Sequence, residues 1–179
     1  DMVATTNNHS SLCYIKTEET CQNSLPILNL KNSTIHSNGG IGVYAVADDS
    51  DGHLLGRNFI TIYDSNISNN RLSGLSVEKI GLSIKHSMIS NNKKYGIEFS
   101  SSNAISDTLY GGRGLTLERN YITGNSDGGV FATSRREQMT VTGNSFVDNT
   151  VRLRYSSGNN VFIKIMIKLN KFTDAGVSG

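Results

Sequence analysis

Ile60-Thr61-Ile62-Tyr63-Asp64-Ser65-Asn66-Ile67-Ser68-Asn69-Asn70 and Leu82-Ser83-Ile84-Lys85-His86-Ser87-Met88-Ile89-Ser90-Asn91-Asn92 are two copies of one pattern. Counting forward from the first residue of each, offsets 0 and +2 are apolar, +5 is Ser, +7 is Ile and +10 is Asn. The same pattern starts again at Leu28, Leu115, Met139 and Ile165, so the intervals between copies are 32, 22, 33, 24 and 26 residues. Offset +2 reads Leu30, Ile62, Ile84, Leu117, Val141, Ile167, and offset +7 reads Ile35, Ile67, Ile89, Ile122, Phe146, Phe172. Offset +5 is always small and polar: Ser33, Ser65, Ser87, Asn120, Asn144, Asn170. Offset +10 is Asn38, Asn70, Asn92, Asn125 and Asn149, then Ala175 in the last copy. Offset +14 is Gly42, Gly74, Gly96 and Gly129, followed by an apolar residue; the fifth copy departs here, with Val151-Arg152-Leu153-Arg154-Tyr155 and no Gly.

Each offset has a physical reading. Side chains alternate faces along a strand, so apolar residues at 0 and +2 mark two inward positions on a short strand. Ser or Asn at +5 and Asn at +10 predict bends, because these side chains bond local backbone and Asn tolerates the left-handed region. Gly at +14 allows positive φ or close approach, and +15 with +17 predicts a third strand. Three strands and three bends make one coil. Coils stacked at about 4.8 Å put like residues above one another, so the +10 amides can bond in a ladder, the arrangement that satisfies them when buried. The expected fold is all-β, a single-stranded right-handed parallel β-helix of about six coils, a piece of a longer one. Residues 1–27 are expected to form an N-terminal segment, a preceding partial coil, and 28–179 the coils starting near 28, 60, 82, 115, 139 and 165. Leucine-rich repeats need a Leu-dense consensus that is absent, a propeller needs longer blades, and an antiparallel sandwich would not keep a six-fold register.

Composition agrees with a thin core spread along an axis: 179 residues are 36% hydrophobic and 7% aromatic, with no Trp, one Pro and 18 Gly. A net charge of +2, with Arg135-Arg136 the only basic doublet containing Arg, argues against a nucleic-acid partner. The chain starts at Asp1 and shows no signal peptide and no apolar run long enough to span a bilayer. It reads as an internal piece of a longer protein or a truncated gene model, with no membrane contact through this segment. The alternation of Val161–Leu169 reads as a strand. Cys13 and Cys21 are a disulfide candidate, with two free thiols as the alternative. Asn8-His9-Ser10, Asn32-Ser33-Thr34 and Asn66-Ile67-Ser68 fit the N-glycosylation acceptor, which points to an extracellular location or the ectodomain of a membrane protein.

The two quoted copies resemble right-handed parallel β-helix repeats of the pectin-lyase-like superfamily, over about residues 28–175. That superfamily includes pectate lyases, polygalacturonases, uronate epimerases, phage tailspikes and non-enzymatic animal proteins. Within it, the Asn-rich coils with sequons look similar to protein bark beetle-like animal junction proteins. The resemblance implies the fold, and leaves a binding scaffold, a polysaccharide-acting enzyme or a trimeric phage or bacterial adhesin open as functions. The enzymes' signatures are missing: no paired Asp-Asp with a later His-Gly and Arg-Ile-Lys, and no Asp-Pro-His, since the only proline is Pro26. Glu98 and Glu118 are not obviously placed to share a pectate-lyase-type Ca²⁺ site.

Spare residues between coils gather where each third strand runs to the next first strand, and all should emerge along one edge. Variable loops on a rigid scaffold are where binding sites usually lie. The loop Val46–Phe59 carries Asp48, Asp49, Asp51, His53 and Arg57; Ser100–Gly114 carries Asp107, Tyr110 and Arg113; Thr133–Gln138 carries Arg135, Arg136 and Glu137. Asp48, Asp49, Asp107 and Arg113 are the catalytic candidates, as acid, base or carboxylate clamp. Asp51, His53, Arg57, Tyr110, Arg135 and Arg136 are candidates for ligand binding at the edge. Asp48, Asp49 and Asp51 weakly resemble a Ca²⁺ loop, although Asp-Asp-Ser-Asp-Gly is also an ordinary turn. No other cofactor is expected, and His36 and His86 sit at different offsets, so they do not stack as a metal pair. The outward +1 column, Asn29, Thr61, Ser83, Thr116 and Thr140, is polar and unobstructed. The favoured expectation is a non-catalytic extracellular scaffold that binds a protein or a glycan, as part of a cell-junction or adhesion protein. The alternative is a lyase, hydrolase or epimerase acting on an acidic polysaccharide.

Overall fold

A computed structural model describes residues 28–46, 59–101, 114–134, 138–155, 165–173 and 177–178. The chain winds through six coils of three short strands each. Coil one holds β1 (Leu28–Lys31), β2 (Thr34–His36) and β3 (Val43–Val46), and coil two holds β4 (Phe59–Tyr63), β5 (Asn66–Ser68) and β6 (Leu75–Glu78). Coil three holds β7 (Gly81–Lys85), β8 (Met88–Ser90) and β9 (Tyr95–Ser101), and coil four β10 (Leu115–Glu118), β11 (Tyr121–Thr123) and β12 (Gly128–Ser134). Coil five holds β13 (Met139–Thr142), β14 (Ser145–Val147) and β15 (Val151–Tyr155), and coil six β16 (Ile165–Lys168), β17 (Lys171–Thr173) and β18 (Val177–Ser178). Every third strand pairs in parallel, giving three six-stranded sheets that run the length of the solenoid.

The register is the one the repeats dictate. Leu28 pairs with Ile60, Ile60 with Leu82, Leu82 with Leu115, Leu115 with Met139 and Met139 with Ile165. The +7 column pairs likewise from Ile35 to Phe172. Inside the wound sheets these columns form one continuous core, completed by Val43, Ala45, Leu75, Val77, Ile97, Phe99, Val130 and Ala132 of the third sheet. Each fully buried Ile or Leu contributes about 2 kcal/mol through removal from water.

The bends differ from expectation by one residue. The left-handed residues sit at +4 and +9, not at +5 and +10. At +4 they are Asn32, Asp64, His86, Arg119, Gly143 and Leu169, and at +9 Ser37, Asn69, Asn91, Gly124 and Asp148. One left-handed residue turns the chain sharply enough to aim the next side chain inward. Its N–H keeps the inter-coil pattern going around the corner, as Asp64 N–H donates to Lys85 O (3.2 Å) and Arg119 N–H to Thr142 O (3.0 Å). Arg119, at φ 53°, holds a conformation that is unfavourable for its Cβ. Arg119→Asn is expected to stabilise the fold by about 0.5–1 kcal/mol, read as a rise in the urea midpoint at unchanged slope.

The glycine column works by close approach. A Cβ on Gly74 would lie 2.7 Å from Gly96 O and 2.9 Å from the Asn92 amide nitrogen, and Gly42 and Gly96 are confined in the same way. The departure in the fifth copy is a shortened bend. Val151 pairs with Val130, although it lies only 12 residues past Met139 where Val130 lies 15 past Leu115.

Candidate functional site

Two polar ladders hold the interior rigid. In the +10 column, each Asn donates its side-chain N–H to the Oδ1 of the next: Asn38 to Asn70 (2.8 Å), Asn70 to Asn92 (2.9 Å), Asn92 to Asn125 (2.8 Å) and Asn125 to Asn149 (2.8 Å). The +5 column, read from sequence only as bends, is a second ladder. Ser33 and Ser65 donate backbone N–H to the hydroxyl above (both 3.1 Å), and Ser87 N–H donates to Asn120 Oδ1 (2.9 Å). Beyond that point amide bonds amide, from Asn120 to Asn144 and from Asn144 to Asn170 (both 3.0 Å).

On this frame the first sheet presents its outer face. Thr61, Ser83, Thr116 and Thr140 are half-buried in one row and Asn29 is exposed at its end. The pairs Val46/Phe59, Ser101/Gly114 and Ser134/Gln138 bracket three connections, each running from the third sheet back to the first. Asp48, Asp49, Asp51, His53, Arg57, Asp107, Tyr110, Arg113, Arg135 and Arg136 all fall within those connections, outside the described residues. Asn8, Cys13 and Cys21 lie outside them as well.

The opposite margin of the same sheet, beside the +4 bends, gathers groups that the sequence reading passed over. Here Tyr63 and Asp64 of coil two, Lys85 and His86 of coil three, and Glu118 and Arg119 of coil four occupy adjacent positions on stacked strands and bends. Lys85 Nζ lies 2.9 Å from Glu118 Oε2, and His86 Nδ1 lies 3.8 Å from Asp64 Oδ1. The His86 ring sits 5.1 Å from the Tyr63 ring, whose other neighbour is the Lys31 ammonium at 5.9 Å. The only signal in the sequence is that the +3 and +4 offsets carry ionisable or phenolic side chains together in copies two to four.

The Lys85 ammonium, through its hydrogen bond and then its charge, holds the Glu118 carboxyl below the usual carboxylate range. A depressed folded-state pKa stabilises the fold above the unfolded carboxyl value, about 4.3, and that contribution disappears as pH falls through the lower folded value. Glu118→Gln is therefore expected to lower the denaturation midpoint slightly at pH 6 and to match the parent near pH 2.5. A pH series of urea melts of the two proteins checks this, and high salt should shrink the difference.

Glu98 and Glu118 are on different sheets. Glu98 faces out from the third sheet, 2.9 Å from Lys94 Nζ and 2.7 Å from the Ser73 hydroxyl. Its hydrogen bond and charge raise the Lys94 pKa. His36 bonds Ser37 Oγ (3.0 Å), one sheet away from His86. Among the described residues, no group of three or more His, Cys, Asp or Glu side chains could hold a metal ion. No helix among them is long and apolar enough to cross a membrane.

A family model described as right handed beta helix region matches residues 14–178. The chain belongs to the right-handed β-helix family. No curated protein and no solved structure matches it. The β-helix winds with the hand that right-twisted strands joined by parallel crossovers favour. Its match begins before β1 and takes in all three loop-bearing connections.

Proposed function

We propose that this β-helix is a non-catalytic extracellular scaffold whose flat outer face binds a protein or a glycan. The observation that carries the reading is the first sheet: parallel strands in strict register, a row of short polar side chains, and variable connections along one edge. Interior ladders fix the spacing of that row, so a ligand meets a surface already in its bound shape and little ordering cost opposes binding. Its Asn-rich coils are similar in style to those of protein bark beetle-like junction proteins, which supports a place in cell adhesion, in a secreted protein or the ectodomain of a membrane protein. The decisive experiment is a panel of acidic and neutral polysaccharides and cell-surface proteins, scored for binding and for turnover. Saturable binding without turnover supports the scaffold, and release of reducing ends or unsaturated products overturns it.

The second reading, an enzyme acting on an acidic polysaccharide, draws on the Tyr63–Asp64–Lys85–His86–Glu118–Arg119 margin. A cation beside an imidazole and a phenol could neutralise a uronate carboxylate while a proton is moved. In that reading Asp48, Asp49, Asp107 and Arg113 supply chemistry from the facing edge, with Ca²⁺ at Asp48, Asp49 and Asp51. Loss of turnover in both Asp49→Asn and His86→Gln would support it.

The extracellular assignment has its own test. Asn32 is exposed on a +4 bend and Thr34 of its sequon is exposed too. Asn66 Oδ1 is buried and Ser68 is 5% exposed. Secreted from a glycosylating host, the folded protein is expected to carry a glycan at Asn32 and none at Asn66, as intact mass and Asn32→Gln would reveal. A secreted, folded chain unmodified at Asn32 would count against the assignment.

A further inference from the structure

The second sheet turns an outer face of its own to solvent. Along β5, β8, β11 and β14 the +7 side chains are buried in the core, so the +6 and +8 positions lie on the outside. From Asn66 to Ser145 the +6 positions read Asn, Met, Tyr and Ser, and from Ser68 to Val147 the +8 positions read Ser, Ser, Thr and Val. These positions carry no charge. The outer faces of the other two sheets do, with Lys85 and Glu118 on the first and Glu78, Glu98 and Arg154 on the third. Two large side chains stand in the middle of the uncharged strip. Met88 pairs in register with Tyr121 of the next coil, so their backbones are about 4.8 Å apart. They are 40% and 44% exposed. Ser90 is buried and Thr123 half-buried beside them, so the thioether and the phenol form a raised platform. Asn66 continues the row beyond Met88, and Ser145 beyond Tyr121, both half-buried and in register.

The chemistry of the strip selects its occupant. From β5 to β14 every strand is already paired on both sides, so a peptide finds no free edge to extend. A helix laid on a face needs apolar anchors spread over two turns, and this strip offers two side chains one coil apart. From coil two to coil five it measures about 14 Å along the axis and about 7 Å across. That footprint falls far below the roughly 800 Å² per partner of a stable protein interface. An ion finds no counter-charge on these strands. What fits is a ring with an apolar face and a hydroxylated rim, which is the make-up of a sugar. Tyr suits such a ligand, because a rigid side chain with two torsions covers an apolar face at low entropic cost and offers a hydroxyl at its tip.

We propose that the outer face of the second sheet, built on Tyr121 and Met88 with Asn66, Thr123 and Ser145 around them, is a binding site for an uncharged stretch of glycan. The site rests on the glycan half of the reading above and places a contact on the second sheet. One face of a sugar packs on the phenol and the thioether. Its hydroxyls exchange hydrogen bonds with the Asn66 amide and the Thr123 and Ser145 hydroxyls. With no ion pair in the contact, binding is insensitive to salt.

The test titrates the full chain with dextran, mannan and cellohexaose, and with polygalacturonate as the charged comparison, at low and high salt. The parent is expected to bind at least one neutral glycan, with an affinity that changes less than about twofold between the two salt conditions. Tyr121→Ala should bind about tenfold more weakly, the loss expected of a central aromatic contact. Leu72→Ala trims another exposed apolar side chain, on the bend that leads away from this face, and should stay within about twofold of the parent. Tyr121→Phe keeps the ring and loses the hydroxyl, and should fall between. A second measurement needs no variant. Hydrogen peroxide gives one oxygen to the Met88 sulfur, leaving the sulfoxide and water, and a saturating neutral glycan should slow that reaction at least about fivefold. Met139, fully buried, is the internal reference. Unchanged binding in a folded Tyr121→Ala, or Met88 oxidised as fast with glycan as without, would overturn the site while leaving the scaffold reading intact. Equal loss in the Tyr121 and Leu72 variants would overturn it as well. Binding to polygalacturonate alone, abolished by salt, would overturn it in favour of an ionic contact elsewhere. Binding to none of the glycans would overturn it too, and protein partners alone would then carry the scaffold reading.

Discussion

Ile67→Asp is expected to leave no soluble folded protein. Ile67 is fully buried in the +7 column between Ile35 and Ile89, and no side chain of that column is a cation. A carboxylate there either stays charged without a partner or takes up a proton; either way the cost is several kcal/mol. Domain stabilities are only about 5–15 kcal/mol, so most of the margin goes with one side chain. Ile67→Val removes one methylene at the same place and should cost about 1 kcal/mol. Circular dichroism on the soluble fraction of both variants decides the matter. An Asp variant that melts with the parent would mean that the columns are wrongly registered.

Asn92→Ala should be nearly as damaging, although it removes a polar side chain. Asn92 Oδ1 accepts from the backbone N–H of Asn70 (3.1 Å) and from its side chain (2.9 Å). Its own amide donates to Asn125 Oδ1 (2.8 Å). Truncation therefore strands two donors of Asn70 in the interior, at about 1–3 kcal/mol each, while Asn125 Oδ1 keeps the Asn92 backbone N–H (3.1 Å). A loss of about 2–6 kcal/mol in urea denaturation is expected. A loss under about 1 kcal/mol would mean that water repairs the gap.

The fold could be read because its register is written one letter deep. Strand side chains alternate, coils stack at one spacing, and each buried column repeats its residue type, so Ile67 and Ile89 announce their contact directly. The left-handed bends escaped because +4 holds Asn, Asp, His, Arg, Gly and Leu; only backbone geometry unites them. The second ladder was half hidden because Ser33, Ser65 and Ser87 give way to Asn120, Asn144 and Asn170, which do the same job with a longer reach. The charged margin was illegible for another reason. Lys85 meets Glu118 across 33 residues of sequence, and a variable connection sets that distance.

The ladders also give the solenoid a direction along which it comes apart. Asn149 is the last amide of the +10 ladder, because the matching position in coil six is Ala175. Interfaces between coils are therefore unequal springs in series. Probed by proton exchange, the interface between coils five and six should open before the one between coils three and four, where Asn92 bonds Asn125.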